Sequence, residues 1–163
     1  MKKESGILIA LTVFLISGCS YHLIKLTQKR IYLKEVRSEV SFLTGIEPEI
    51  ASALLRNLGR RGISFTTDCP EVTVDLLSVN PGDYYYTPSG YIARITGVVK
   101  YRVKITPCHG KSFSRVVGIP LTYTYYSHPY GTEASMRSSI VNGIDKLSEK
   151  IVELLNGDSF TDR

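Results

Sequence analysis

Residues 91–105, YIARITGVVKYRVKI, alternate with a period of two along their whole length. Ala93, Ile95, Gly97, Val99, Tyr101, Val103 and Ile105 fall on one side. Arg94, Thr96, Val98, Lys100, Arg102 and Lys104 fall on the other. Successive side chains of a strand point to opposite faces, so this stretch reads as a long antiparallel strand with one dry and one wet face. A strand of that kind needs neighbours on both sides and a layer over its dry face. The rest of the chain is constrained to provide them.

Arg30–Val36, RIYLKEV, and Val72–Val79, VTVDLLSV, carry the β-branched and aromatic residues of strands. Phe113, Val117, Ile119, Leu121 and Tyr123 share a face of a further strand. Pro120 marks an edge or a bulge there, because it has no N–H for a ladder. Asn80-Pro81-Gly82-Asp83 has turn chemistry, and the YYYTPSGY that follows reads as a tyrosine-rich loop. Pro48 suits the first turn of a helix over 47–61, in which Ile50, Ala53, Leu54 and Leu58 form one apolar stripe and Gly62 is the stop. A longer helix takes Thr132 as N-cap, lines up Ile140, Val141, Ile144, Leu147, Ile151, Leu154 and Leu155, and ends at Asn156-Gly157. The expected class is α+β: two helices packed on one face of a four-stranded mixed, mostly antiparallel sheet, in the order β-α-β-β-β-α. The other face is left to water or to a partner.

The first residues stand apart from that fold. Lys2 and Lys3 precede an apolar run over residues 6–16, GILIALTVFLI. A membrane-spanning helix needs about 20 such residues, so the run is too short to span and fits an export signal. Ile16-Ser17-Gly18-Cys19 resembles a bacterial lipobox. The resemblance implies cleavage before Cys19 and acylation of its sulfur and nitrogen. One acyl chain holds marginally and several together hold firmly. Ser20, where enterobacterial lipoproteins retained at the inner membrane carry Asp, implies the outer membrane. The expected organisation is a removed signal peptide (1–18), a lipid-anchored segment (19–29), a single domain (30–157) and a short tail (158–163). The full sequence carries +5, and without residues 1–18 it keeps 18 basic against 14 acidic side chains, so the basicity lies in the domain.

Catalytic chemistry is not expected. His22, His109 and His128 stand in no metal-ligand spacing, and no G-x-S-x-G, P-loop or G-x-G-x-x-G is present. Neither a metal nor a cofactor is called for. Cys69 precedes the second expected strand and Cys108 follows the third, so the two can meet if those strands form a hairpin. They read either as a disulfide of an oxidising compartment or as two free thiols. Arg94, Lys100, Arg102 and Lys104 share one side of the long strand. They read as a surface for phosphates or as an ordinary solvated face. Tyr84, Tyr85, Tyr86 and Tyr91 precede the long strand, and Tyr125 and Tyr126 follow the fourth, at the same end of a meander. They read as a partner-contact surface or as a cluster packed on itself.

Taken in order, LISGCSYHL, RIYLKEV, the Pro-started helix with ALLRNL, a hairpin with HGK at its turn and a long last helix resemble the LPS-assembly lipoprotein family, LptE. The resemblance implies two helices on a four-stranded sheet. It implies a plug inside the lumen of the LptD outer-membrane barrel that helps assemble the barrel and assists lipopolysaccharide insertion into the outer leaflet. It implies membrane attachment through the N-terminal lipid, no nucleic-acid partner, and glycolipid contact at Arg94, Lys100, Arg102 and Lys104. The alternative is a structural or secretion-system lipoprotein that binds another envelope protein.

Overall fold

The computed structural model describes residues 29–157. β1 (Arg30–Ser38) leads through a 3-10 turn at Ser41–Leu43 into α1 (Glu47–Arg60). β2 (Ser64–Phe65), β3 (Glu71–Tyr86), β4 (Ile92–Thr106), β5 (Phe113–Thr124) and α2 (Pro129–Asn156) follow. The strands form one sheet in the order β2-β1-β3-β4-β5. β1 runs parallel to both its neighbours, whereas β3, β4 and β5 form an antiparallel meander. Parallel neighbours need a crossover, and α1 lies in the one joining β1 to β3.

The sheet therefore has five strands where four were expected. The additional one, β2, is two residues long and offers no periodicity to read. Its flanking amide bonds, Ser64 N–H to Lys29 O and Thr66 N–H to Ile31 O, tie it to β1. A second difference concerns β3, which runs on through the expected turn and loop to Tyr86. Asn80-Pro81-Gly82-Asp83 forms an irregularity in the β3–β4 ladder between Pro81 and Tyr84. Turn residues and bulge residues are the same residues, because both need a locally unpaired backbone. The chain reverses later, around Gly90 (φ 85°), where Thr87 and Tyr91 exchange a backbone bond. A third difference is the start of α2. His128 is the N-cap, its Nδ1 accepting from Gly131 N–H at 3.0 Å, with Pro129 in the first turn.

Both helices cover one face of the sheet. Ile50, Ala53, Leu54 and Leu58 of α1 are buried, as are Ile140, Ile144, Leu147, Ile151 and Leu155 of α2. They meet Ile31, Val72, Val74, Leu76, Val99, Tyr101, Val103 and Ile105 from the sheet. α2 runs obliquely. Its first half lies along β5, where a Cβ on Gly143 would stand 3.3 Å from Ile119. Its last turn reaches the start of β1, where Lys29 Nζ donates to Leu155 O at 2.7 Å and to Asn156 Oδ1. A cation at the carbonyl end of a helix is favourably placed. Arg137 links α2 to Glu49 of α1 at 2.8 Å and to Thr44 O at 3.0 Å.

Tyr101 is the largest fully buried side chain, and burial pushes its phenol well above the usual tyrosine value. A raised acid favours folding below its unfolded pKa and withdraws that contribution above it, so the fold loses stability as pH rises past about 10. Tyr101→Phe is expected to flatten that alkaline loss. Thermal melts of both proteins between pH 7 and pH 11 check it, and parallel curves count against it.

Candidate functional site

The alternation in β4 divides its residues as the pattern requires. Val99, Tyr101, Val103 and Ile105 are buried beneath the helices, and Arg94, Lys100 and Lys104 are exposed on the opposite face. The register fixes their neighbours. Lys100 stands opposite Gly118 of β5, and Lys104 stands between Thr73 of β3 and Ser114 of β5. Arg102 stands between Asp75 and Val116, and Arg94 between Tyr85 and Thr124.

The four basic residues are not equivalent. Arg102 Nη1 lies 3.3 Å from Glu39 Oε1 and 3.7 Å from Asp75 Oδ2. Among the described residues Asp75 Oδ1 is buried with no hydrogen-bond partner, and Arg102, with Arg37 opposite Asp75 in the register, supplies the counter-charge. On the same half of the sheet, Lys34 bonds Glu71 at 2.7 Å, which raises its ammonium above the usual lysine value. Glu35 bonds Arg37 and is held below the usual carboxylate range. The β1–β3 half of the face thus carries both signs. Among the described residues Arg94, Lys100 and Lys104 form no ion pair, so the unbalanced positive charge lies over β4 and β5.

Tyr84, Tyr85 and Tyr86 occupy the far end of β3, and Tyr91 and Tyr125 the adjoining ends of the next connection and strand. All of these, with Tyr126, are exposed. Tyr84, Ile95 and Tyr123 form one row of the sheet, and burial followed by the neighbouring Tyr84 raises the Tyr123 phenol. A cleft of about 440 Å³ is lined by Tyr86, Gly90, Tyr91, Ile92, Tyr125 and Ser127. A second, of about 380 Å³, lies between Phe42, Tyr125, Tyr126, Pro129 and Met136. A third, of about 600 Å³, joins Arg94 to Thr122, Thr124, Tyr126, Ser135, Ser138 and Asn142. Arg94 is thereby the basic residue that adjoins the aromatic end. Phe42 and Met136 belong to this end without a sequence signal, because they come from separate segments that only the fold unites.

Cys69 and Cys108 are joined by a disulfide at the opposite end of the β3–β4 hairpin, with Cα atoms 5.0 Å apart. Cys19 lies outside the described residues. Among the described residues no group of His, Cys, Asp and Glu is placed to hold a metal ion, and no helix is long and apolar enough to cross a membrane.

No family model and no curated protein matches the sequence. Solved structures do match the fold. A Xanthomonas campestris protein of the DUF330 family superposes with a TM-score of 0.50 at 9% identity, over 82% of this chain and 88% of that one. The rare lipoprotein B of Shewanella oneidensis gives 0.49 at 10% identity, over 78% and 94%. A minor lipoprotein from Acinetobacter baumannii gives 0.45 at 15% identity, over 77% and 89%. At such low identity, the likeness to the Xanthomonas protein establishes a shared α+β fold.

Proposed function

We propose that this chain is a lipid-anchored envelope protein of the LptE type, which partners an outer-membrane β-barrel and assists lipopolysaccharide insertion. The lipobox-like Ile16-Ser17-Gly18-Cys19 supports the anchor, and the ordered sequence resemblance supports the class. The observation that carries the reading is the uncovered sheet face. Among the described residues Arg94, Lys100 and Lys104 stand there without counter-charges, beside an end built of exposed tyrosines. Phosphates of a glycolipid suit the first group, and tyrosine's apolar ring with a hydroxyl suits a protein wall.

The combined variant Arg94→Glu, Lys100→Glu and Lys104→Glu tests the reading. Its lipopolysaccharide binding is expected to fall at least about tenfold, since each exposed charge contributes only part of a screened attraction. Folding by circular dichroism should be unchanged, because none of the three is buried or paired. Unaltered glycolipid binding, or purification from outer membrane without any barrel protein, favours the alternative of a lipoprotein that binds some other envelope component.

A further inference from the structure

Among the described residues β5 is the last strand of the sheet, so one side of its backbone has no sheet partner there. Tyr125 N–H donates to Ala93 O, which sets odd-numbered amides of this segment toward β4 and even-numbered ones toward the edge. The upper part of that edge is closed by hydroxyls of α2. Ser139 Oγ donates to Thr122 O at 2.7 Å, Ser135 Oγ accepts from Thr124 N–H at 2.9 Å, and Thr132 Oγ1 accepts from Tyr126 N–H at 2.9 Å. Pro120 has no donor at the next edge position down. Below it α2 passes under the sheet toward β1 and no longer guards the edge. Among the described residues the edge-facing N–H and C=O groups of Val116 and Gly118 take no hydrogen bond.

An open edge recruits an extended chain, and the surroundings select which one. Lys100 stands opposite Gly118 and Lys104 opposite Ser114. No bulky β5 side chain therefore separates these lysines from a strand added outside β5. Such a strand would lie two spacings from β4, about 10 Å, a gap that a lysine and a glutamate side chain close by reaching toward each other and that is about one screening length. Lys111, just before β5, is exposed and, among the described residues, unpaired. A second copy of this chain would bring the same cations to the same edge, and the chain as a whole carries +5. We propose that the open edge at Ser114–Gly118 takes an extended acidic segment of a partner polypeptide as an added strand. Val116 and Gly118 supply the backbone ladder, and Lys100 and Lys104 meet its carboxylates.

This dock shares Lys100 and Lys104 with the glycolipid reading, but its decisive variant leaves every basic side chain in place, so the two readings fail separately. Val116→Pro removes one edge-facing N–H and breaks no bond to β4. The test uses the full chain in detergent with two acetylated heptapeptides, one alternating valine and glutamate, the other valine and lysine. Calorimetry measures affinity, and NMR measures amide exchange at Val116 and Gly118. The glutamate peptide is expected to bind and to slow exchange at both amides, Val116→Pro to weaken it about tenfold or more, and the lysine peptide not to bind. If the variant does not fold, exchange in the unaltered chain decides alone. Slow exchange there without peptide, whether from a dimer or from the chain's own residues 1–28 or 158–163, overturns the proposal. So does failure of the glutamate peptide to bind, equal binding of both peptides, or undiminished binding to Val116→Pro.

Discussion

Gly97→Val destabilises the fold by about 3 kcal/mol or more and lowers its melting temperature by about 10 °C. Gly97 sits in the middle of the best strand of the chain, where a β-branched residue would ordinarily be favoured. The irregularity at Pro81 reverses that preference. A Cβ at position 97 would stand 2.4 Å from Asn80 O and 3.3 Å from both Asn80 C and Pro81 Cα. These are backbone atoms and cannot swing aside as a side chain can. Gly118→Ala is the control. Its Cβ would meet only Val98 Cγ1, at 3.1 Å, a methyl on the exposed face that need yield by no more than a few tenths of an ångström, so the loss should be smaller. Urea denaturation of the two variants compares them directly. Equal losses would mean that the close approach at Asn80 is not what fixes glycine at 97.

Removing the disulfide has an effect of the same order. Cys69 and Cys108 are separated by 39 positions, and closing a loop of that length in the unfolded chain amounts to about 4 kcal/mol of stability. The double variant Cys69→Ser, Cys108→Ser should melt well below the oxidised protein, and reductant should bring the oxidised protein to the same midpoint. The β3–β4 ladder already holds the hairpin in register in the folded state, so the tyrosine end should keep its amide-exchange pattern. A stability within about 1 kcal/mol of the oxidised protein's would show that the bond constrains little in the unfolded ensemble.

Legibility followed the length of the repeating signal. β4 repeats its pattern over fifteen residues, and both its buried and its exposed side are as that pattern requires. α1 was bounded by Pro48 and Gly62, and its stripe Ile50, Ala53, Leu54 and Leu58 is the buried one. β2 was invisible because two residues hold no period. Asn80–Asp83 has the chemistry of a turn yet forms a bulge, because a bulge and a turn ask for the same residues. Thr132 has the chemistry of an N-cap but sits inside the helix. Pro129 instead starts the helix a turn earlier, leaving the Thr132 hydroxyl to the backbone of Tyr126. Alternation placed Arg94, Lys100, Arg102 and Lys104 on one face. It carried no information about Glu39 and Asp75, which come from other strands and connections and occupy Arg102.

Lys29 and the Cys69–Cys108 bond lie at one end of the meander, and Tyr86 and Tyr91 at the other. The intervening length of β4, at about 3.3 Å per residue, is about 45 Å. That is comparable to a whole lipid bilayer, headgroups included. Residue 29 therefore stands about a membrane's thickness from the rings of Tyr86 and Tyr91.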